Sequence, residues 1–292
     1  MSSIEAFRRF YAELIVRAGG ASDERLIDAF ASVVREDYLG PGPWSVFFGN
    51  GKYFSTQTDD PRILYQDVLF AIDVKRGINN GQPSLHAAAL AACAPRPGER
   101  VTHVGAGAGY YTAVLAHLVG DAGRVIAFEI EHDLAERARI NLSRLRNVEV
   151  LARSASEEAL PGSDIIYVNA GATHPLAAWL DALAVGGRLV FPLTPDEGVG
   201  CMLMVTRRTE STYAAKALMK VAFIPCIGAR DPASSQALSA AMANQSHVAV
   251  RSLRRDNAPD GSAWLAGSGW WLSTDDGSER DAIVHSSNGS PT

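Results

Sequence analysis

From about Gln82 to Gly228 the sequence predicts an α/β fold, a mostly parallel sheet with helices on both faces. Three observations carry it. Short apolar runs alternate with helix-patterned segments, as parallel strands joined by crossover helices do. A glycine string, GAGAG, separates one such run from the next helix. Two further apolar runs then flank a polar TESTY turn, the pattern of an antiparallel hairpin.

The elements follow in order. Phe7, Phe10, Tyr11, Leu14 and Ile15 have the three-four spacing of an amphipathic helix. Gly19-Gly20 ends it. Asp23 caps a second helix with Leu26, Ile27, Phe30 and Val33-Val34 on one face. A stretch rich in Gly, Pro and aromatics runs from Leu39 to Phe54, and the aromatics from Tyr38 to Phe54 serve either as core for this cap or as cover for a site. Pro83 to Cys93 reads as a helix. VTHV (Val101–Val104) is a strand, followed by the glycine string and a helix from Tyr110 to Val119. RVIAF from Arg124, VEVL from Val148, DIIYV from Asp164 and RLVF from Arg188 are four more strands. Helices lie at Asp133–Leu145 and at Pro175–Leu183, the latter closed by Gly186-Gly187. CMLMVTR and KALMKVAF, from Cys201 and Lys216, form the hairpin. Strand-like HVAVRSL and SAWLAGSGWWLS follow, then a polar tail from Asp275 that reads as mobile. The expected organisation is a helical cap and irregular connection over 1–80, a core over 81–230 and an extension over 231–292.

Composition narrows the function classes. Apolar residues are 47% and charged residues 20% of 292, which excludes bulk disorder and allows a large core. A net charge of −5 speaks against a dedicated nucleic-acid binder. Cys93, Cys201 and Cys226 are far apart and make neither a disulfide framework nor a CxxC pair. The N-terminus carries charges where a secretory leader has an apolar run, and no window reaches the roughly 18 apolar residues of a membrane span. A cytoplasmic protein without a membrane partner is expected. The seven histidines lack a metal-ligand spacing such as HxxxH, so no metal is expected.

Gly105, Ala106, Gly107 and Gly109 lie in the loop between strand and helix, where small residues let a ligand approach the backbone and free N–H groups point out of the helix start. Position 110 is Tyr, so the dinucleotide pattern GxGxxG fails. GxGxG suits the amino-acid end of S-adenosylmethionine, with one of Tyr110 and Tyr111 facing it. Glu129, at the end of the next strand, suits the two ribose hydroxyls.

Five parallel strands and a hairpin outline a seven-stranded, Rossmann-like class I methyltransferase sheet. Within that class the chain resembles the protein-L-isoaspartate O-methyltransferase family. VTHVGAGAGYYTAVLAHLVG is similar to its first motif, and NNGQPSLHAAAL to its Ile-Ser-Gln-Pro segment and following helix. DIIYVNAGATHPLAAWLDALAVGGRLVFPL and AFIPCIG resemble its later strands. The resemblance covers about residues 5–230. It implies S-adenosylmethionine as donor, S-adenosylhomocysteine as product, and a carboxylate of a protein, peptide or small acid as acceptor. The family's catalytic serine falls at Gly81, beside Gln82 and Pro83, with Ser84 the nearest hydroxyl. Its acid before the glycine loop becomes His103, and its Gly-Asp-Gly becomes Arg153-Ser154-Ala155, leaving Ser154 to meet the adenine amino group.

Gly81, Gln82, Asn169 and His174 are therefore the candidates for the reacting end. Gly105, Ala106, Gly107, Gly109, Tyr110, Glu129, Ser154 and Ser84 are the candidates for the donor. His86 lies near that site with packing an equal role, and Trp270-Trp271 reads as core. A small-molecule O-methyltransferase and a cofactor-binding adaptor without isoaspartyl methylation are the alternatives.

Overall fold

The computed structural model describes residues 3–47, 51–244 and 246–276; most of the tail expected from Asp275 lies outside these described residues. Helices α1 (Ser3–Ala18), α2 (Glu24–Ser32) and the short α3 (Glu36–Leu39) come first. The Asp23 side chain accepts from Arg25 N and caps α2 as its sequence predicts. The face of α1 differs from expectation. Tyr11, Ala12, Ile15 and Val16 are fully buried, whereas Phe7, Phe10 and Leu14 are exposed. The helix packs against both α2 and α4 (Pro83–Cys93), and that double contact selects the 11/12/15/16 stripe.

Two small hairpins, Ser45–Phe47 with Tyr53–Ser55 and Ala71–Asp73 with Ile78–Asn79, lie between α3 and α4. Trp44, Val46, Leu64 and Phe70 give this region a core of its own with Leu39. Arg35 is fully buried and donates to the carbonyls of Leu64, Gln66 and Val68, tying the connection down.

The central sheet has ten strands: β1 (Arg100–Val104), β2 (Arg124–Glu129), β3 (Val148–Ala152), β4 (Ser163–Val168), β5 (Leu183–Leu193), β6 (Gly200–Arg207), β7 (Tyr213–Val221), β8 (Ser252–Arg254), β9 (Ala263–Gly267) and β10 (Trp270–Ser273). Their spatial order is β9-β10-β8-β7-β6-β5-β4-β1-β2-β3. The first five are mutually parallel and the rest antiparallel. Helices α5 (Tyr110–Val119), α6 (His132–Leu142) and α7 (Ala177–Ala182) cross between them. The expected count was seven strands. The segment beyond residue 230 adds α8 (Pro232–Ala243) and three strands that continue the same sheet. Trp270 and Leu272 bury against Tyr213, Ala215 and Val205, so this segment shares one core with the sheet.

One boundary moves. The α7 helix ends at Ala182, and Gly186-Gly187 lies inside β5, where the register jumps from Ser163↔Leu183 to Ile165↔Arg188. The glycine pair builds a bulge, at Gly186 φ +82°, instead of a helix cap. No helix of the described residues is long and apolar enough to cross a membrane.

Candidate active site

The site forms at the C-terminal ends of β1, β2 and β4, where the chain leaves the sheet for loops and helix starts. Gly105, Gly107 and Gly109 have φ of +74°, +55° and +98°, the left-handed region that glycine alone enters without strain. Gly105 N and Ala106 N both donate to Phe128 O, at 2.9 and 3.1 Å, fastening the loop to β2. The Glu129 carboxylate closes the arrangement: Oε2 accepts from Gly107 N at 2.6 Å and Oε1 from Glu131 N at 3.0 Å. Burial raises the pKa of Glu129, and the N–H groups of Glu131 and Gly107 oppose that rise. Two N–H bonds leave a carboxylate with further acceptor positions, and Glu129 faces a cavity of about 700 Å³.

Gly105, Ala106, Gly107, Tyr110, Glu129 and Ser154 line that cavity from the donor set, and Gly81, Gln82 and Asn169 from the reacting set. Tyr110 and Tyr111 both line it. Three candidates do not. Gly109 turns to α6, where a Cβ would come within 2.8 Å of Leu142 Cδ1; its missing side chain serves helix packing. The Ser84 amide donates to Asp67 Oδ1 at 2.8 Å, and its hydroxyl lies 3.4 Å from Gln82 Nε2, away from the cavity. His174 is carried past the site because the chain after β4 turns to meet the segment before α8: Gly171 N donates to Ile224 O and Thr173 N to Ala229 O. Its Nδ1 sits 3.0 Å from Thr173 Oγ1. Trp270 and Trp271 are buried, as expected.

His103 is fully buried, and burial pushes its pKa down to about 3. Its Nδ1 is 2.8 Å from Thr112 Oγ1 and its Nε2 2.9 Å from Asn169 Nδ2. The amide N–H donates to Nε2, so Nδ1–H donates to the threonine, and Asn169 Oδ1 is left without a partner. Asn80 Nδ2 and Tyr111 Oη are also buried without partners, and all three residues line this one cavity. Unmet buried polar atoms cost free energy, so their gathering at one void marks a place built for a polar ligand. An unmet acceptor beside the glycine loop and a half-engaged carboxylate fit the amino and ribose groups of S-adenosylmethionine.

A family model for protein-L-isoaspartate(D-aspartate) O-methyltransferase matches residues 50–231. The protein-L-isoaspartate O-methyltransferase of Ignicoccus hospitalis is 36% identical over 56% of this chain and 79% of its own length. The enzyme of that name numbered 2 in Marinobacter nauticus is 33% identical over 72% of this chain and 87% of its own. This chain belongs to the protein-L-isoaspartate O-methyltransferase family. The relative in Burkholderia ambifaria is 33% identical, and 63% of its length is covered. Among solved structures, a Plasmodium falciparum family member in complex with S-adenosyl-L-homocysteine superposes with TM-score 0.61 over 76% of this chain and 98% of its own, at 21% identity. A second structure of a protein-L-isoaspartate O-methyltransferase gives 0.62 over 92% and 86%, at 20% identity. At such identities the likeness is one of fold.

Against the family pattern the reacting end stands out. Gly81 has φ +70°, and a Cβ there would sit 2.9 Å from His86 Cδ2 and closer still to Nε2. A serine cannot simply be restored at this position. Sequence reading missed Asn80 and left His86 between a place near the donor and a packing role; the Asn79-Asn80 pair before Gly81 was the available signal.

Proposed function

We propose that the chain transfers the methyl group of S-adenosylmethionine to the free carboxylate of isoaspartyl residues in proteins or peptides. The observation that carries the reading is one cavity lined both by the glycine loop with Glu129 and by Gly81 with Asn169, within a chain of this family. The cofactor, when bound, supplies an electrophilic sulfonium methyl, and the protein's task is orientation and exclusion of water. The loop from Gly105 to Gly107 would take its amino-acid end, Asn169 Oδ1 its amino group, Glu129 its ribose hydroxyls and Ser154 its base. A free carboxylate has an ordinary pKa near 4, so it is ionised at neutral pH and needs no general base. The site agrees: burial lowers the pKa of His86, which lines the cavity, to about 3, leaving it neutral. Three buried, unpaired cysteines suit a reducing compartment such as the cytosol.

The donor half is tested by calorimetric titration with S-adenosylhomocysteine. Glu129→Ala is expected to weaken binding by about 1–3 kcal/mol through lost ribose hydrogen bonds. Unchanged affinity would remove Glu129 from the site.

A further inference from the structure

Two neutral hydrogen-bond donors belong to residues that line the cavity with Gly81, the position of the family's serine. The first is His86. It is 1% exposed, its Nδ1 lies 2.9 Å from Tyr167 Oη, and its ring stacks on Tyr111 at 3.8 Å. Tyr167 is fully buried, and His86 is the only hydrogen-bond partner of its hydroxyl among the described residues. The arrangement that gives the buried phenol proton an acceptor has Tyr167 donating to Nδ1, which puts the single proton of the neutral imidazole on Nε2. That nitrogen is the His86 atom nearest the face of Gly81 from which a side chain would project. The second donor is Asn80, 8% exposed. Phe70 N donates to its Oδ1 at 2.9 Å, which fixes the amide orientation and makes Nδ2 the unpartnered end.

We propose that Asn80 Nδ2 and His86 Nε2–H form the acceptor-carboxylate site, with Gly81 kept free of a side chain to make room for the imidazole and Tyr167 positioning it. The proposal rests on the carboxyl methyltransferase reading above. Neutral donors suit this task. An ionised carboxylate only accepts hydrogen bonds, and two N–H groups hold it without the strong stabilisation of a buried cation, which would blunt the attacking oxygen.

The test is steady-state methylation of an isoaspartyl peptide by the full chain with labelled S-adenosylmethionine, alongside calorimetric cofactor titration. His86→Phe keeps the aromatic packing and removes the donor. Asn80→Asp keeps the acceptor for Phe70 N and replaces the donor with a repelling carboxylate. Each is expected to raise the peptide KM roughly tenfold or more while cofactor affinity stays within about twofold. Gly81→Ser alone should abolish turnover, and Gly81→Ser with His86→Ala should recover part of it because the clash is relieved. Peptide KM values within about twofold of wild type in both single variants, or losses that follow cofactor affinity alone, would overturn the donor pair. Absence of wild-type turnover would instead overturn the isoaspartyl reading.

Discussion

His86 and His103 are buried imidazoles held neutral inside the fold, and this gives stability a pH dependence of known sign. Both have pKa values lowered by burial to about 3, against an ordinary value near 6.5. Between those values the unfolded chain binds more protons, so their contribution is fully present above about pH 6.5 and is lost as pH falls toward 3. Each costs up to about 1.4 kcal/mol per pH unit within that window. Urea midpoints are expected to fall between pH 7 and 5.5, before most carboxylates titrate, and His86→Phe should flatten the fall. An unchanged slope would contradict neutral burial. What was legible at this scale had local spacing behind it: Gly105, Gly107 and Glu129 follow from a strand, a loop and the next strand end. The meeting of His86 with Gly81 was not legible, because it depends on a positive φ and on the turn of α4 five residues later. His174 failed for the opposite reason. It stands near a strand end in sequence, but the chain turns away to hydrogen-bond with the segment before α8.

At the scale of elements, the glycine loop divides its work. Gly105 and Gly107 give the cavity its backbone wall, whereas Gly109 lets α5 start against Leu142 and Ala138 of α6. Gly109→Ala would add a Cβ at 2.8 Å from Leu142 Cδ1 in a backbone with φ +98°. A loss of about 1–3 kcal/mol in chemical denaturation is expected from strain and overpacking. A variant as stable as wild type would show that the helices yield without cost. Helices α4 and α5 were legible to the residue, the first opening on Pro83 and the second on the glycine loop. The end of α7 was not, since a glycine pair that closes a helix and one that bulges a strand look alike in sequence.

At the scale of the molecule, the parallel half of the sheet was legible because crossover helices leave a regular alternation. The antiparallel continuation is strand-like in sequence but carries no local sign of its place in the sheet, since pairing across β7 and β8 is a long-range event of two registered pairs, Tyr213↔Leu253 and Ala214↔Ser252. Removing the chain after Arg230 would expose the edge of β7 and uncover the core under Leu253, Trp270 and Leu272. The truncated chain is expected to melt at lower temperature and to aggregate; an equal melting temperature would mean that the extension carries no stability.

Methyl transfer itself decides the function most directly. Labelled S-adenosylmethionine, this chain and an isoaspartyl peptide should be incubated beside the aspartyl twin of that peptide. The expected result is label on the isoaspartyl peptide alone, lost on mild alkaline treatment as a methyl ester is. Equal labelling of both peptides, alkali-stable label, or firm cofactor binding with no transfer to either peptide would contradict it.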